Sequence, residues 1–386
     1  MRVPEQQRPS TSSVGLYIHV PFCRTRCHFC AFYLQIHRED RVQAYVQSLE
    51  REIRLHAARK STGRRPLDTV YLGGGTPTTL TSAQLSTVLA WVRTYFGVEE
   101  HAELTLEAHP DTVTGGGLDL LAEAGFNRIS FGLETMEDEE LRRIGRNPDS
   151  HRIRTAIREA REAGFTNINL DLIYGLPGQS LESWRSTLDQ TIGLEPTHLS
   201  CYALTVEERT RLHVDLARGT ANEPDPVLQN AMEDEADDRL ARAGYERYEI
   251  SNYSRPGYAC RHNLRYWRDE DYLGLGPSAQ SYLNGCRSGN VENLAAYHGA
   301  LDAGRLPILE SEQLDPEQKR REALVFGLRL TNGIEITTLG AGLPQADVER
   351  AVNQLIDRGL LETTAGRIRL TAIGRRYADT VAVELL

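Results

Sequence analysis

The chain has 386 residues, 40% of them hydrophobic and 25% charged, and a formal net charge of −10. That size allows one large domain and a smaller one, and the acidic balance argues against broad nucleic-acid binding, which depends on neutralising phosphates. Residues 1–14 are polar with no apolar signal-peptide core, and no segment is long enough to span a membrane, so a disordered tail, a cytoplasmic location and reduced cysteines are expected.

From residue 15, short apolar, β-branched runs alternate with polar stretches of helical period. The predicted strands are 15–20, 69–72, 103–107, 128–133, 167–173 and 198–204. The predicted helices lie near 39–58, 81–96, 117–125, 137–144, 151–163 and 180–193, with Gly125 and Gly164 placed as C-terminal glycines. Six such units predict an α/β fold: a partial (β/α)6 barrel over 15–205, its parallel sheet covered by helices on one side and its mouth at the C-terminal strand ends.

After about residue 205 the rhythm changes. A helix near 226–243, a strand at 245–250, an aromatic loop at 252–273 and a glycine-rich turn in GLGPSAQSYL form a predicted α/β extension over 206–305. A helix at 346–358 and a hairpin around Ala365–Gly366 predict a winged-helix-like domain over 306–386. No basic recognition helix accompanies it, which weakens any DNA-binding reading.

The stretch GLYIHVPFCRTRCHFCAF places Cys23, Cys27 and Cys30 in a C-x3-C-x2-C pattern directly after the first predicted strand. Thiolates are the ligands of iron–sulfur clusters. Three on one loop hold three irons of a cubane and leave the fourth open to a small molecule. Structural zinc is the alternative, with His19 or His28 as fourth ligand; zinc knuckles usually come as two cysteine pairs, and Tyr17, Phe22, Phe29 and Phe32 offer a dry shell suited to a cluster. Downstream, the glycines of YLGGGTP (71–77) allow a close backbone approach to a ligand, although a tight turn is the plainer reading. Glu107 closes the third predicted strand, and its carboxylate suits an ammonium or a ribose hydroxyl.

Tyr17, His19, Pro21, Phe22 and Cys23 read Y-x-H-x-P-F-C. With the triplet, the chain resembles the radical S-adenosylmethionine superfamily, in its coproporphyrinogen-oxidase-like branch, from about residue 15 to the C-terminus. The resemblance implies a [4Fe–4S] cluster on Cys23, Cys27 and Cys30. It implies S-adenosylmethionine contacts from Tyr17, Phe29, Gly74, Gly75, Thr76, Glu107, Glu134, Arg146 and Asp171; for Arg146 taken alone, a surface ion pair is the plainer role. An electron donor such as flavodoxin or ferredoxin is implied where radical chemistry is used. The segment HNLRYW, His262 to Trp267, matches the H-N-x-x-Y-W motif of the HemW haem-chaperone family. That match implies haem iron bound by His262, pocket walls from Tyr266 and Trp267, and a haem-acceptor protein, membrane-associated acceptors included. Without the motif, His262 and Asn263 read as loop caps and the aromatics as domain-junction filling.

Several positions depart from these relatives. Phe32 stands where the oxidases carry a further cysteine, and the 22 residues before Cys23 are fewer than those enzymes have; both count against porphyrinogen decarboxylation. Ala31 replaces an Asp, Glu134 a Gln and Gln280 a His, and the three are expected to cluster around the site. They keep a radical methyl- or alkyltransferase as the second reading behind a haem chaperone, with a coproporphyrinogen oxidase third.

Overall fold

A computed structural model describes residues 13–147, 150–339 and 346–386. Of the expected tail, 1–12 lie outside the described residues, while Ser13 and Val14 are buried and Val14 already begins the first strand. Six parallel strands follow in chain order: β1 (Val14–Val20), β2 (Leu67–Gly74), β3 (Val98–Ala108), β4 (Arg128–Glu134), β5 (Asn167–Tyr174) and β6 (His198–Ala203). They lie side by side in sequence order, as right-handed strand–helix–strand units require. The intervening helices start and stop on local signals. Thr81 and Ser180 close capping boxes with Gln84 and Ser183, and Gly125 ends its helix at φ 104°, a conformation that favours glycine.

Side-chain alternation separates the two faces of this sheet. Leu16, Ile18, Val70, Leu72, Leu104, Leu106, Ile129 and Phe131 belong to the hydrophobic core under the helices. The opposite, concave face carries Thr69, Thr105, Arg128, Ser130, Asn169, His198 and Ser200, all at most 2% exposed. A parallel sheet covered by apolar layers on both faces has near-continuous apolar strands. Here the inner face is polar and partly satisfied by side-chain bonds, such as Asn169 with Ser130 and His198 with Asn169, while Thr105 Oγ1 and Arg128 Nε and Nη1 are buried without a hydrogen-bond partner.

The α/β extension lengthens the barrel sheet at both edges. A strand at Tyr272–Leu275 pairs parallel to β1, and Gln280–Leu283, Cys286–Asn290 and Ile308–Gln313 follow antiparallel beyond it. At the other edge β7 (Asn252–Ser254) pairs antiparallel to β6, with Glu246–Arg247 outside it, which makes a twelve-stranded sheet among the described residues. The strand expected at 245–250 is thus only two residues long, because Arg247 turns back to donate to the Ile250 carbonyl. Buried Glu52 of the helix Glu39–Ala58 ties the extension down through Gly276 N (2.8 Å), Asn290 (2.7 Å) and Tyr297 (2.6 Å).

The C-terminal region has its own core around Leu324, Val352, Leu355 and Ile368. The helix Ala346–Asp357 precedes the hairpin Leu361–Thr364/Arg367–Leu370, which meets Ile334–Glu335 in a small antiparallel sheet, the winged-helix-like arrangement expected. Arg375 and Arg376 fasten it to Asp237, Glu233 and Asp234 on the helix Pro226–Arg242. No described helix is long and apolar enough to cross a membrane, and all six cysteines are free thiols.

Candidate functional site

The cysteine loop lies over the C-terminal ends of the barrel strands. Cys23 sits on a two-residue strand, Phe22–Cys23, that pairs with Gln35–Ile36. Its thiol is 3.4 Å from the Thr76 hydroxyl, and Arg146 Nε donates to Cys27 Sγ at 3.3 Å. The loop is clamped by backbone bonds from Thr76 N to Phe22 O (2.7 Å) and from His28 N to Ile144 O (2.9 Å). A Cβ on Gly75 would stand 2.7 Å from the Phe22 carbonyl oxygen, and one on Gly74 would collide with the His19 ring at 2.5 Å. The glycine triplet therefore admits the cysteine strand itself at close range. A Gly75→Ala substitution is expected to impair cluster retention by displacing that strand, measured as iron per chain after reconstitution.

Both histidines of the zinc alternative are engaged elsewhere. The His19 ring bonds Tyr17 and the Tyr33 carbonyl, and His28 Nδ1 bonds the Arg143 carbonyl. Among the described residues no three His, Cys, Asp or Glu side chains converge on one metal ion. A cubane places each thiolate on a different iron, so three thiols on one clamped loop beside a guanidinium suit it without converging on a point. The dry shell is partial. Phe22 is fully buried and Phe29 packs on the core, but Phe32 is 66% exposed and shields nothing.

Around this loop the same strand ends present the other expected residues. Glu107 accepts from Tyr71 OH at 2.7 Å and from Gly74 N at 3.1 Å. Burial pushes its carboxyl up to about 7 against those two bonds. Asp171 accepts from Ser130 Oγ and Asn169 Nδ2, both at 2.9 Å. Arg146 is no surface cation: its side chain is 13% exposed, pairs with Glu134, and donates to Gly132 O at 2.9 Å. Burial raises the Glu134 carboxyl above its usual range, and the Arg146 charge opposes that. Tyr17 lies deeper, stacked on Tyr71 with ring centroids 6.2 Å apart.

The HNLRYW segment is elsewhere, and it is not a loop. It forms the helix Arg261–Trp267, which plugs the N-terminal end of the barrel. Glu103 of β3 accepts from the backbone N–H of Arg261 and His262, both at 3.1 Å, at the positive end of that helix. The His262 ring is 1% exposed, bonds Thr69 Oγ1 and Tyr266 OH at 2.9 Å each, and stacks on Tyr71 at 5.3 Å. Burial, then the Arg265 and Arg128 charges, lower its pKa to about 3, so the ring is neutral. Thr69 lies five residues before Gly74 on β2, roughly 16 Å at ~3.3 Å per residue. The motif and the cysteine loop thus occupy opposite ends of the barrel. Trp267 lies under the Arg329 guanidinium, 4.5 Å from the ring centroid. The sequence reading missed Asp68, Glu103 and Arg265, which hold this floor; for Asp68 and Glu103, polar residues within otherwise apolar strands were the signal.

The three departures do not cluster as expected. Ala31 follows Cys30 and Glu134 faces Arg146, but Gln280 lies on the antiparallel extension with its side chain against Gly289.

Comparison with known proteins agrees with this geometry. Residues 17–191 match the model of the radical SAM superfamily, and 314–377 that of the HemN C-terminal domain. A protein named heme chaperone HemW from Bacillus subtilis is 32% identical over 95% of this chain and 97% of its own length. One from Mycobacterium tuberculosis is 36% identical over 96% and 94%. The structure of Escherichia coli coproporphyrinogen III oxidase (HemN), described as a radical SAM enzyme, superposes with a TM-score of 0.84 at 27% identity, covering 97% of this chain and 90% of that one. Radical SAM proteins carry a [4Fe–4S] cluster and S-adenosylmethionine, and the clamped cysteine loop above the strand ends is compatible with both. On similarity along nearly the whole of both chains, the chain belongs to the HemW family within the radical SAM superfamily.

Proposed function

We propose that this protein is a haem chaperone: it binds haem and passes it to an acceptor protein. The reading is carried by the likeness to proteins named heme chaperones along almost the whole of both chains. Phe32 supports it, because a solvent-exposed aromatic stands where the oxidases have a fourth cysteine. The test is a haem titration of the anaerobically reconstituted protein. Saturation near one haem per chain, at micromolar or tighter affinity, is expected in the Soret band; no saturable binding with the cluster intact would sink the reading.

In this reading Cys23, Cys27 and Cys30 hold the cluster, and Tyr17, Phe29, Gly74, Gly75, Thr76, Glu107, Arg146 and Asp171 surround the place for S-adenosylmethionine. When bound, the pair supplies one-electron reductive cleavage of a carbon–sulfur bond. The chain's own part is positioning. The loop clamps fix the thiols, Glu107 and Asp171 present acceptors at the strand ends, and Arg146 places a positive charge beside Cys27. A haem acceptor is the partner this function requires, with a reductant protein where radical chemistry is used.

Glu134 complicates the Arg146 role. Its carboxylate already neutralises the guanidinium, so a ligand carboxylate must compete with it. Glu134→Gln is expected to tighten S-adenosylmethionine binding by about tenfold, equal to ~1.4 kcal/mol, in anaerobic equilibrium dialysis. Unchanged affinity would show that the ligand carboxylate does not use Arg146.

A further inference from the structure

The surface around the cysteine loop differs in charge from the chain as a whole. Residues 22–41 hold four arginines and two carboxylates, in a chain of net charge −10. One of those carboxylates, Asp40, is already paired with Arg38 at 3.0 Å. Arg24 follows Cys23 and Arg26 precedes Cys27; both are exposed and neither has an ion pair among the described residues. Each reaches only a backbone carbonyl, Arg24 that of Asp111 at 2.9 Å and Arg26 that of Leu34 at 3.5 Å. Arg41 donates to the neutral Gln35 side chain at 3.1 Å. Three cations without a carboxylate partner therefore stand around the thiols.

Apolar side chains lie in the middle of this charge. Ile36 is the register partner of Cys23 across the two short strands and is 50% exposed, and Phe32 stands two residues after Cys30. Single exposed apolar residues are ordinary on a surface. An apolar centre rimmed by one sign of charge instead fits a protein partner of the opposite sign. The net charge of the chain repels an acidic protein at long range, and this rim reverses the sign at the loop, which steers such a partner there. The three cysteines are only partly buried, so a protein seated on this face comes close to the cluster ligands.

Resting on the cluster assignment of the loop, we propose that Arg24, Arg26, Arg38 and Arg41, with Phe32 and Ile36 at their centre, form the docking surface for a small acidic one-electron carrier protein. Electron transfer needs two redox centres close together, and the pairing of Cys23 with Ile36 supplies that closeness. With a flavodoxin as carrier, its flavin hydroquinone anion gives one electron and becomes the neutral semiquinone. The cluster takes that electron and passes from [4Fe–4S]2+ to [4Fe–4S]+, with no proton exchanged.

The experiment mixes the full, cluster-loaded chain with reduced flavodoxin under argon in a stopped-flow instrument. It is run at ~10 mM and at ~1 M ionic strength, where charges act over roughly 30 Å and 3 Å. Dithionite, which needs no docking, is the control reductant. Arg24→Glu with Arg26→Glu is expected to slow reduction by flavodoxin about tenfold or more at low salt, the gap closing at high salt. Reduction by dithionite is expected to stay as in the wild type. Arg38→Glu with Arg41→Glu, outside the cysteine loop, is expected to act in the same direction, and it carries the test should the loop variant fail to hold its cluster. Calorimetry with oxidised flavodoxin reads docking without electron transfer, and Phe32→Ser is expected to weaken that binding. Wild-type rates in both charge-reversal variants, or a wild type that dithionite reduces and flavodoxin does not, would overturn the docking surface and leave the cluster standing. A wild type with no cluster that dithionite can reduce would remove the cluster assignment itself.

Discussion

Replacing Arg265 by Leu is expected to destabilise the protein by about 3–5 kcal/mol, the usual cost of stripping one partner from a buried ion pair. Arg265 is 2% exposed and Asp68 4%. The guanidinium reaches Asp68 through Nε at 2.9 Å and also bonds Ser13 Oγ (2.8 Å) and the Asp271 carbonyl (3.2 Å). One side chain thereby joins the motif helix, β2, the start of β1 and the residue before the strand Tyr272–Leu275. Without it Asp68 stays buried with Arg261 as its remaining cation, at 3.6 Å. Asp68→Asn in the Arg265→Leu background removes that charge and is expected to recover part of the loss in urea unfolding. A double variant no more stable than the single one would show that the lost bonds to Ser13 and Asp271, and not the stranded carboxylate, set the cost.

Changing Cys23, Cys27 and Cys30 together to Ala is expected to abolish the visible absorbance of the reconstituted cluster, with iron and sulfide content falling to background. Retention of both would refute the assignment of the loop. Assembly is also expected to depend on pH in a definite direction. Burial pushes the Cys23 thiol up to about 11, partly offset by its Thr76 bond, and raises Cys30 as well. Ligation needs thiolates and so releases protons. Cluster uptake is therefore expected to proceed faster at pH 9 than at pH 7, measured by stopped-flow absorbance under argon.

The barrel was legible because its strands and helices obey local rules. The helix 39–58 matches to the residue, and each of the six strands overlaps its predicted run, β3 starting five residues early, since apolar alternation and capping residues lie in the same short stretches they govern. The segment 252–273 was misread as a loop because its helix has seven residues, too few to show a period, and owes its N-terminal cap to Glu103, more than 150 residues away in sequence. The cysteine triplet's spacing announced metal chemistry, and the Y-x-H-x-P-F-C resemblance narrowed it from zinc to a cluster. The surroundings of His262 were not announced, because a motif read in one dimension cannot show that both ring nitrogens are already bonded.

The pairing of β1 with the strand Tyr272–Leu275, which aligns Gly15 with Tyr272, has a consequence for synthesis. At about 5–20 residues per second, the partner of the first strand leaves the ribosome on the order of 10–50 s after it. Throughout that interval β1 offers an open edge, and Asp68 waits for Arg265. The nascent barrel is then a template for misplaced strands, and truncation after residue 205 would make that condition permanent. The extension is in this sense the last stave of the barrel, and holding the newborn chain apart from its neighbours until residue 275 emerges is a task for the cell's own folding helpers.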